Sequence, residues 1–306
     1  VTLRLLAVHA HPDDESSKGA ATYAYYLSRG AQVMIVSCTG GERGDIQNPA
    51  LEATAMANRD MAGLRRIEMA AAQAAVGFEH RWLGYEDSGL PEDASEPLPA
   101  NCFALIPLEI SAEPLVKIIR ELRPQVLVTY DEQGGYPHPD HIRTHAISIY
   151  AIEAAADPTR YPDAGEPWQV EKVYYDRIMN TERIEAMHRY LTENDPESAQ
   201  LPQIAEFLEW MRKRPRPDTA TTHVPVGEFF EVRDTALKAH ASQVPPDSAF
   251  FFWPNDLQRE VWPWEDFELV RSTLGDIAGA PETDLFAGID DSSDATDATT
   301  DRKVNA

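Results

Sequence analysis

The sequence predicts an α/β fold: a Rossmann-like, mostly parallel sheet flanked by helices, with a smaller mixed region at the C-terminal end. Three observations point to it. Short, continuous apolar runs, the pattern of strands buried on both faces, recur through the first half of the chain. Segments with helical spacing alternate with them, which implies parallel strands joined by crossover helices. Clusters of histidine and aspartate stand just past two of these runs, at the carboxyl ends of strands, where open sheets of this kind bind ligands.

Leu3 to Ala10 reads as the first buried strand and ends in a polar cluster. Glu15 to Arg29 follows with helical spacing and stops at Gly30. Val33 to Thr39 is the second strand. Arg59 to Val76, rich in Ala and Met, reads as a helix ended by Gly77. Arg81 to Tyr85 is a short strand, Leu115 to Leu122 a helix that Pro124 ends, and Val126 to Tyr130 another buried strand. His138 to Ala156 is helical, and Val173 to Ile178 is a further strand. The second half is less regular. Glu182 to Arg212 reads as helical with a break near Pro196, and Phe229 to Gln243 as another helix. Trp253, Trp262 and Trp264 fall in a Pro-containing stretch expected to pack as an ordered loop. From Gly288 onward Asp, Ser, Thr and Ala dominate, the composition of a disordered acidic tail. The expected organisation is a Rossmann-like unit carrying a metal site over 1–170, a C-terminal region over 171–287 completing the substrate cleft, and the tail over 288–306.

The 306 residues, 43 % of them hydrophobic, suffice for one large core with an appended smaller one. No apolar run reaches membrane-spanning length, and the N-terminus enters a strand directly, without the pattern of an export signal. Two cysteines, Cys38 and Cys102, argue against a disulfide framework and point to a reducing cytoplasm. Lys and Arg number 27 against 51 Asp and Glu, a formal charge of −24, which argues against nucleic acid and anionic membranes as partners.

The first polar cluster is His9-Ala10-His11-Pro12-Asp13-Asp14-Glu15. His11 and Asp14 flank a tight Pro-containing turn, so both can point at one atom, and imidazole nitrogen with carboxylate oxygen is an ordinary ligand pair for zinc or ferrous iron. Asp13 is left over beside them as a general base for a water activated by the metal. The second cluster is Tyr130-Asp131-Glu132-Gln133-Gly134-Gly135-Tyr136-Pro137-His138-Pro139-Asp140-His141. His141 can complete a facial triad with His11 and Asp14, leaving open positions for water. Asp140 can orient a histidine. His138, protonated, can donate to a developing oxyanion or a leaving amine, and Tyr136 is a second candidate at the oxyanion. A third segment, Thr39-Gly40-Gly41-Glu42-Arg43-Gly44-Asp45, lacks the spacing of a phosphate loop and reads as a substrate-facing loop.

Ala10-His11-Pro12-Asp13-Asp14-Glu15 and His138-Pro139-Asp140-His141 together resemble the paired signatures of the LmbE-like (PIG-L) deacetylase superfamily. Within it, the runs His9 to Ala21, Thr39 to Asp45, Asp87 to Pro91, Tyr130 to His145 and Tyr161 to Trp168 resemble the mycothiol S-conjugate amidases of actinobacteria. The resemblance implies a Rossmann-like hydrolase with one Zn2+ per chain, or Fe2+ in its place. It would cleave the amide of mycothiol S-conjugates to a mercapturic acid and glucosaminyl-inositol, in detoxification. It also implies that Lys18 contacts the cysteinyl part of the conjugate, that Arg65 and Asp87 bind the sugar–inositol part, and that His240 lies at the far side of the site. The alternatives are the N-acetylglucosaminyl-inositol deacetylase of mycothiol biosynthesis and a non-catalytic metal- or ligand-binding module.

Overall fold

The computed structural model describes residues 2–93, 95–213, 219–251, 253–275 and 281–290. The elements begin with β1 (Arg4–His9), α1 (Asp14–Ser17), α2 (Ala20–Ser28), β2 (Gln32–Thr39), α3 (Ala55–Arg59), α4 (Met61–Val76) and β3 (Glu79–Tyr85). They continue with α5 (Leu108–Leu122), β4 (Val126–Thr129), α6 (Pro139–Ala156), β5 (Lys172–Asp176), α7 (Thr181–Asn194) and α8 (Leu201–Arg212). The last are β6 (Thr222–Pro225), α9 (Phe230–Ala239), α10 (Asn255–Val261) and β7 (Trp264–Ser272).

One sheet runs in the order β3-β2-β1-β4-β5-β7-β6. Strands β1 to β5 are mutually parallel, and β7 lies antiparallel to both β5 and β6. Alternate residues feed two cores, as the period of a strand requires. Leu6, Val8, Met34, Val36, Leu127 and Val173 meet Leu115 and Ile119 of α5 and Ile147 and Ala151 of α6 on one face. Leu5, Ala7, Val33, Ile35, Val128 and Tyr174 meet Tyr23 of α2, Met69 of α4 and Phe230 of α9 on the other. A third, smaller core joins α7 and α8 through Ile184, Met187, Leu191, Ile204 and Leu208, with Trp253 and Trp262 packed against it. Among the described residues no helix is long and apolar enough to cross a membrane.

Several sequence expectations shift. The helix expected over Glu15 to Arg29 is two helices, because the chain leaves helical geometry at Lys18 and Gly19. Helix α5 starts at Leu108 and carries Pro114 inside it. The carbonyl that Pro114 cannot reach, that of Ile110, accepts instead from the Tyr85 hydroxyl at 3.4 Å. Trp264 opens a strand rather than ending a loop. That strand, with β5 and β6, carries the sheet beyond residue 170, so the C-terminal region is built into the same sheet. Leu285 and Phe286 are buried and Ile289 packs on the second core; residues 291–306 of the expected tail lie outside the described residues.

From β1 the chain crosses to β2 on one side, while β4 pairs on the other, so strand order reverses between β1 and β4. Loops leaving the carboxyl ends of two such neighbours diverge and open a crevice. The two His/Asp clusters occupy those two loops.

Candidate metal centre

Strand β1 delivers His9, Ala10 and His11 to the crevice, and Pro12 and Asp13 turn the chain into α1. Asp13 holds φ 115° and ψ −28°, a conformation that costs a non-glycine residue on the order of 1–3 kcal/mol and must be held by its surroundings. Two supports are visible. The Asp13 N–H donates to Glu15 Oε2 at 2.9 Å. The Arg65 guanidinium, buried in α4, donates to the Pro12 carbonyl, to Gly41 O at 3.1 Å and to Asp13 Oδ2 at 3.1 Å. Strand β4 delivers the second loop. Asp131 shapes it by accepting from Gln133 N at 3.0 Å and Gly135 N at 2.9 Å, and Arg177 at the end of β5 holds Asp131 at 2.8 Å. His138 then caps α6, its Nδ1 accepting from Asp140 N at 3.1 Å, with Pro139 in the first turn where its missing N–H is harmless.

Among the described residues, two groups bring metal-binding atoms together: His11, Asp14 and His141, and His11, His138 and Asp140. The first suits a cation better. His141 Nδ1–H donates to the Gly134 carbonyl at 2.9 Å, so its Nε2 carries a lone pair, and that buried atom has no hydrogen-bond partner. His11 Nε2–H donates to Asp140 Oδ2 at 3.2 Å, which turns the Nδ1 lone pair toward Asp14. Asp14 Oδ2 stands 3.4 Å from His141 Nε2 and 3.6 Å from His11 Nδ1. Ligands at about 2.0–2.1 Å around a tetrahedral zinc stand roughly 3.3 Å apart, so both of these Asp14 spacings are close to those of a metal shell. In the second group Asp140 is already occupied by Ser88 N at 2.9 Å and by the Ser88 hydroxyl, and His138 Nδ1 is spent on its cap.

The electrostatics favour a charged Asp14. Burial alone would raise its pKa, but Lys18, His141 and His11 outweigh that and hold the carboxyl well below the usual range. Asp13 moves the other way: burial raises it against the opposing pull of Arg65. His138 departs from expectation. Burial, then the neighbouring His11 and His141, push its pKa down to about 3, so it stands neutral and offers an Nε2–H rather than a full positive charge.

The remaining expected residues are distributed around this centre. The Tyr136 ring lies 4.6 Å from that of His141 and is 43 % exposed, at the lip of the crevice. Asp87 Oδ1 lies 3.7 Å from His11 Nε2. Lys18 ends α1, and its Nζ donates to Asp14 Oδ1 at 2.5 Å. His240 is fully buried and meets Glu15 Oε1 at 2.7 Å. Sequence reasoning assigned no role to Glu15, Ser88, Tyr130 or Asp176. Tyr130 stacks on His141 with centroids 4.4 Å apart, and its hydroxyl accepts from Ala10 N at 2.8 Å, tying the two site loops together. Asp176, at the carboxyl end of β5, is raised to about 6 by burial. Glu15, Ser88 and Tyr130 all stand inside or beside the quoted motifs, which was the available signal.

Residues 6–152 match the family described as GlcNAc-PI de-N-acetylase, PIG-L. The chain is 50 % identical over 292 residues to the mycothiol S-conjugate amidase of Streptomyces coelicolor, covering 94 % of this chain and 98 % of that one. It is 38 % identical over 296 residues to the 1D-myo-inositol 2-acetamido-2-deoxy-alpha-D-glucopyranoside deacetylase of Streptomyces avermitilis, covering 94 % and 97 %. A solved structure, the 4-carboxy-2-hydroxymuconate hydratase GalB of Pseudomonas putida KT2440, aligns with a TM-score of 0.59 at 14 % identity, covering 91 % of this chain and all of that one. That likeness concerns the fold alone, and a hydratase on the same fold shows why the reaction has to be argued from the site.

Proposed function

Because the chain belongs to the PIG-L family, we propose that it is a metal-dependent amidase that hydrolyses mycothiol S-conjugates to a mercapturic acid and glucosaminyl-inositol. The observation that carries this choice is the 50 % identity to an amidase of that name across nearly the whole of both chains, against 36 % to 42 % to 1D-myo-inositol 2-acetamido-2-deoxy-alpha-D-glucopyranoside deacetylases. The proposed ligands are His11, Asp14 and His141, whose mixed nitrogen and oxygen donors suit zinc, with ferrous iron as the other ion they accept. When bound, such a metal supplies Lewis acidity, acidifying water and drawing charge from the amide carbonyl.

The chain's own residues do the rest. Asp13, raised by burial and a quarter exposed, takes the proton of the attacking water. The same carboxyl returns it to the leaving amine of glucosaminyl-inositol, so one group serves both half-steps. His138 Nε2–H, on an imidazole held by its Nδ1 cap, donates to the tetrahedral oxyanion, with the Tyr136 hydroxyl approaching from the lip. Asp140 keeps His11 in the tautomer that presents Nδ1. Asp87, buried beside His11, and Lys18, bonded to Asp14, are assigned to the polyol and the cysteinyl part of the substrate. We place the activity in a reducing cytoplasm, which the free, buried thiols of Cys38 and Cys102 support.

The test compares a bimane conjugate of mycothiol with N-acetylglucosaminyl-inositol, each with added zinc or ferrous iron. A kcat/KM preference for the conjugate is the expected result. Preference for the acetyl substrate would instead make the chain the biosynthetic deacetylase.

A further inference from the structure

His240 is buried yet bonded toward the active-site turn, and Glu15 lies beside two groups of the centre without facing substrate. We propose that Glu15 and His240 are a positioning pair that sets the orientation of Asp13. The Glu15 carboxylate is used at both ends. Oε1 meets His240 Nε2 at 2.7 Å and accepts from Ser16 Oγ at 2.5 Å, while Oε2 accepts from the Asp13 N–H at 2.9 Å. A residue near the C-terminus of α9 thus reaches, through one carboxylate, the backbone of a residue more than 220 positions earlier.

That anchor is itself fixed. Gln243 N and Val244 N turn back onto the His240 carbonyl at 3.0 and 2.8 Å. Ser242 clamps Glu68 of α4, donating from its N at 2.7 Å and its Oγ at 2.8 Å. Helix α4 packs on α9 and carries Arg65, which grips Asp13 from the other side at Oδ2. The backbone of Asp13 is therefore held through Glu15 and its carboxylate through Arg65, both from one rigid two-helix scaffold. A non-glycine residue at φ 115° needs such restraint, because without it the turn relaxes toward ordinary backbone and swings the carboxylate away. His240 accordingly acts through Glu15 and not on the substrate.

The proposal rests on the reading of Asp13 as the base, so the experiment separates the two. Wild type, Glu15→Ala, Glu15→Gln, His240→Asn and Asp13→Ala are compared on the bimane conjugate of mycothiol. Zinc content and hydrogen exchange of the peptide spanning 11–17 are measured in parallel. Glu15→Ala is expected to lower kcat by about 30- to 100-fold, the scale at which misplacing a reacting group by ~1 Å acts. KM stays within about threefold, zinc content stays at the wild-type level, and exchange in the 11–17 peptide quickens, since a lost orientation costs turnover and not binding. Glu15→Gln, whose carbonyl still accepts from the Asp13 N–H and whose amide still reaches His240, recovers most of the loss. His240→Asn, which cuts only the outer link and leaves the turn's sequence intact, shows the same signature more weakly and carries the test if Glu15→Ala does not fold. Wild-type kcat in Glu15→Ala, zinc lost in step with kcat, or Gln no better than Ala would overturn the pair's role. Undiminished turnover in Asp13→Ala would overturn the base assignment instead.

Discussion

Replacing Gly134 by alanine tests the metal centre through a residue that touches no metal. A Cβ at Gly134 would stand 2.5 Å from His141 Cβ and 3.0 Å from both Ile142 N and Tyr136 O. Carbon atoms in contact prefer about 3.5–4.0 Å, so His141 or the loop must yield by roughly 1 Å. Metal–ligand distances tolerate only about 0.2 Å, and the shift also strains the Gly134 carbonyl bond that fixes the His141 tautomer. We expect zinc to bind about 100-fold more weakly, equivalent to roughly 2.7 kcal/mol. Gly135 is the control, because it shares the same φ of 73° but nothing lies within 4 Å of its Cβ position. Alanine there pays only the conformational term of about 1–2 kcal/mol. Competition against a chromophoric chelator gives zinc affinity, and melting of the zinc-free proteins gives the backbone cost. Both variants should lose conformational stability, Gly134→Ala the more because of its clash, and only Gly134→Ala should lose zinc. Equal zinc affinities for the two would refute the assignment of His141 as a ligand held by this loop.

Three further outcomes follow from the same geometry. Asp13→Asn should lower kcat by at least about 10²-fold while a full complement of metal remains, as metal analysis beside steady-state kinetics will check, since it removes the base and leaves the ligands. Arg120→Ala should destabilise the fold by about 3 kcal/mol or more in urea unfolding. The buried guanidinium donates to the carbonyls of Ala154, Ala155, Asp157, Arg160, Tyr161 and Gly165, and its loss strands that whole cluster. The Glu15–His240 pair should make stability depend on pH. Burial opposes both charges, but their pairing outweighs it, lowering Glu15 from 4.5 to about 2 and raising His240 above 6.5. The Glu15 contribution is complete above pH 4.5 and is lost as pH falls toward 2; the His240 contribution is complete below pH 6.5 and is lost as pH rises through its folded value. The stability gap between wild type and His240→Asn should therefore be widest between those two ordinary values, and a gap constant across pH would contradict the ion pair.

The parts of this molecule that could be read without a structure are those written in neighbouring residues. Val33 to Thr39 and Val126 to Thr129 are recognisable as buried strands because every side chain is apolar or small, and Gly77 ends α4 because a left-handed residue must follow it. Strand β7 was hidden because Glu265 and Asp266 interrupt its apolar pattern. Both are buried: Glu265 Oε2 accepts from the N–H and hydroxyl of the distant Thr22, while its Oε1 has no hydrogen-bond partner, and Asp266 is met by Asn180, His223 and Trp262. The split of the first helix was hidden because Lys18 is a good helix former whose ammonium is drawn to Asp14.

The sequence by itself determined the α/β class and the two loops rich in His and Asp, since periodicity and ligand-type residues are local properties. Only the tertiary structure decided that those loops meet. That depends on β1 and β4 being neighbours at the reversal of strand order, a pairing across more than 120 residues. It also decided which nitrogen of each histidine is free, because the tautomers follow from Gly134 and Asp140, which only the folded chain brings into place. It also placed His240, fully buried, against Glu15, for burial and a carboxylate partner are long-range facts that no spacing of residues records.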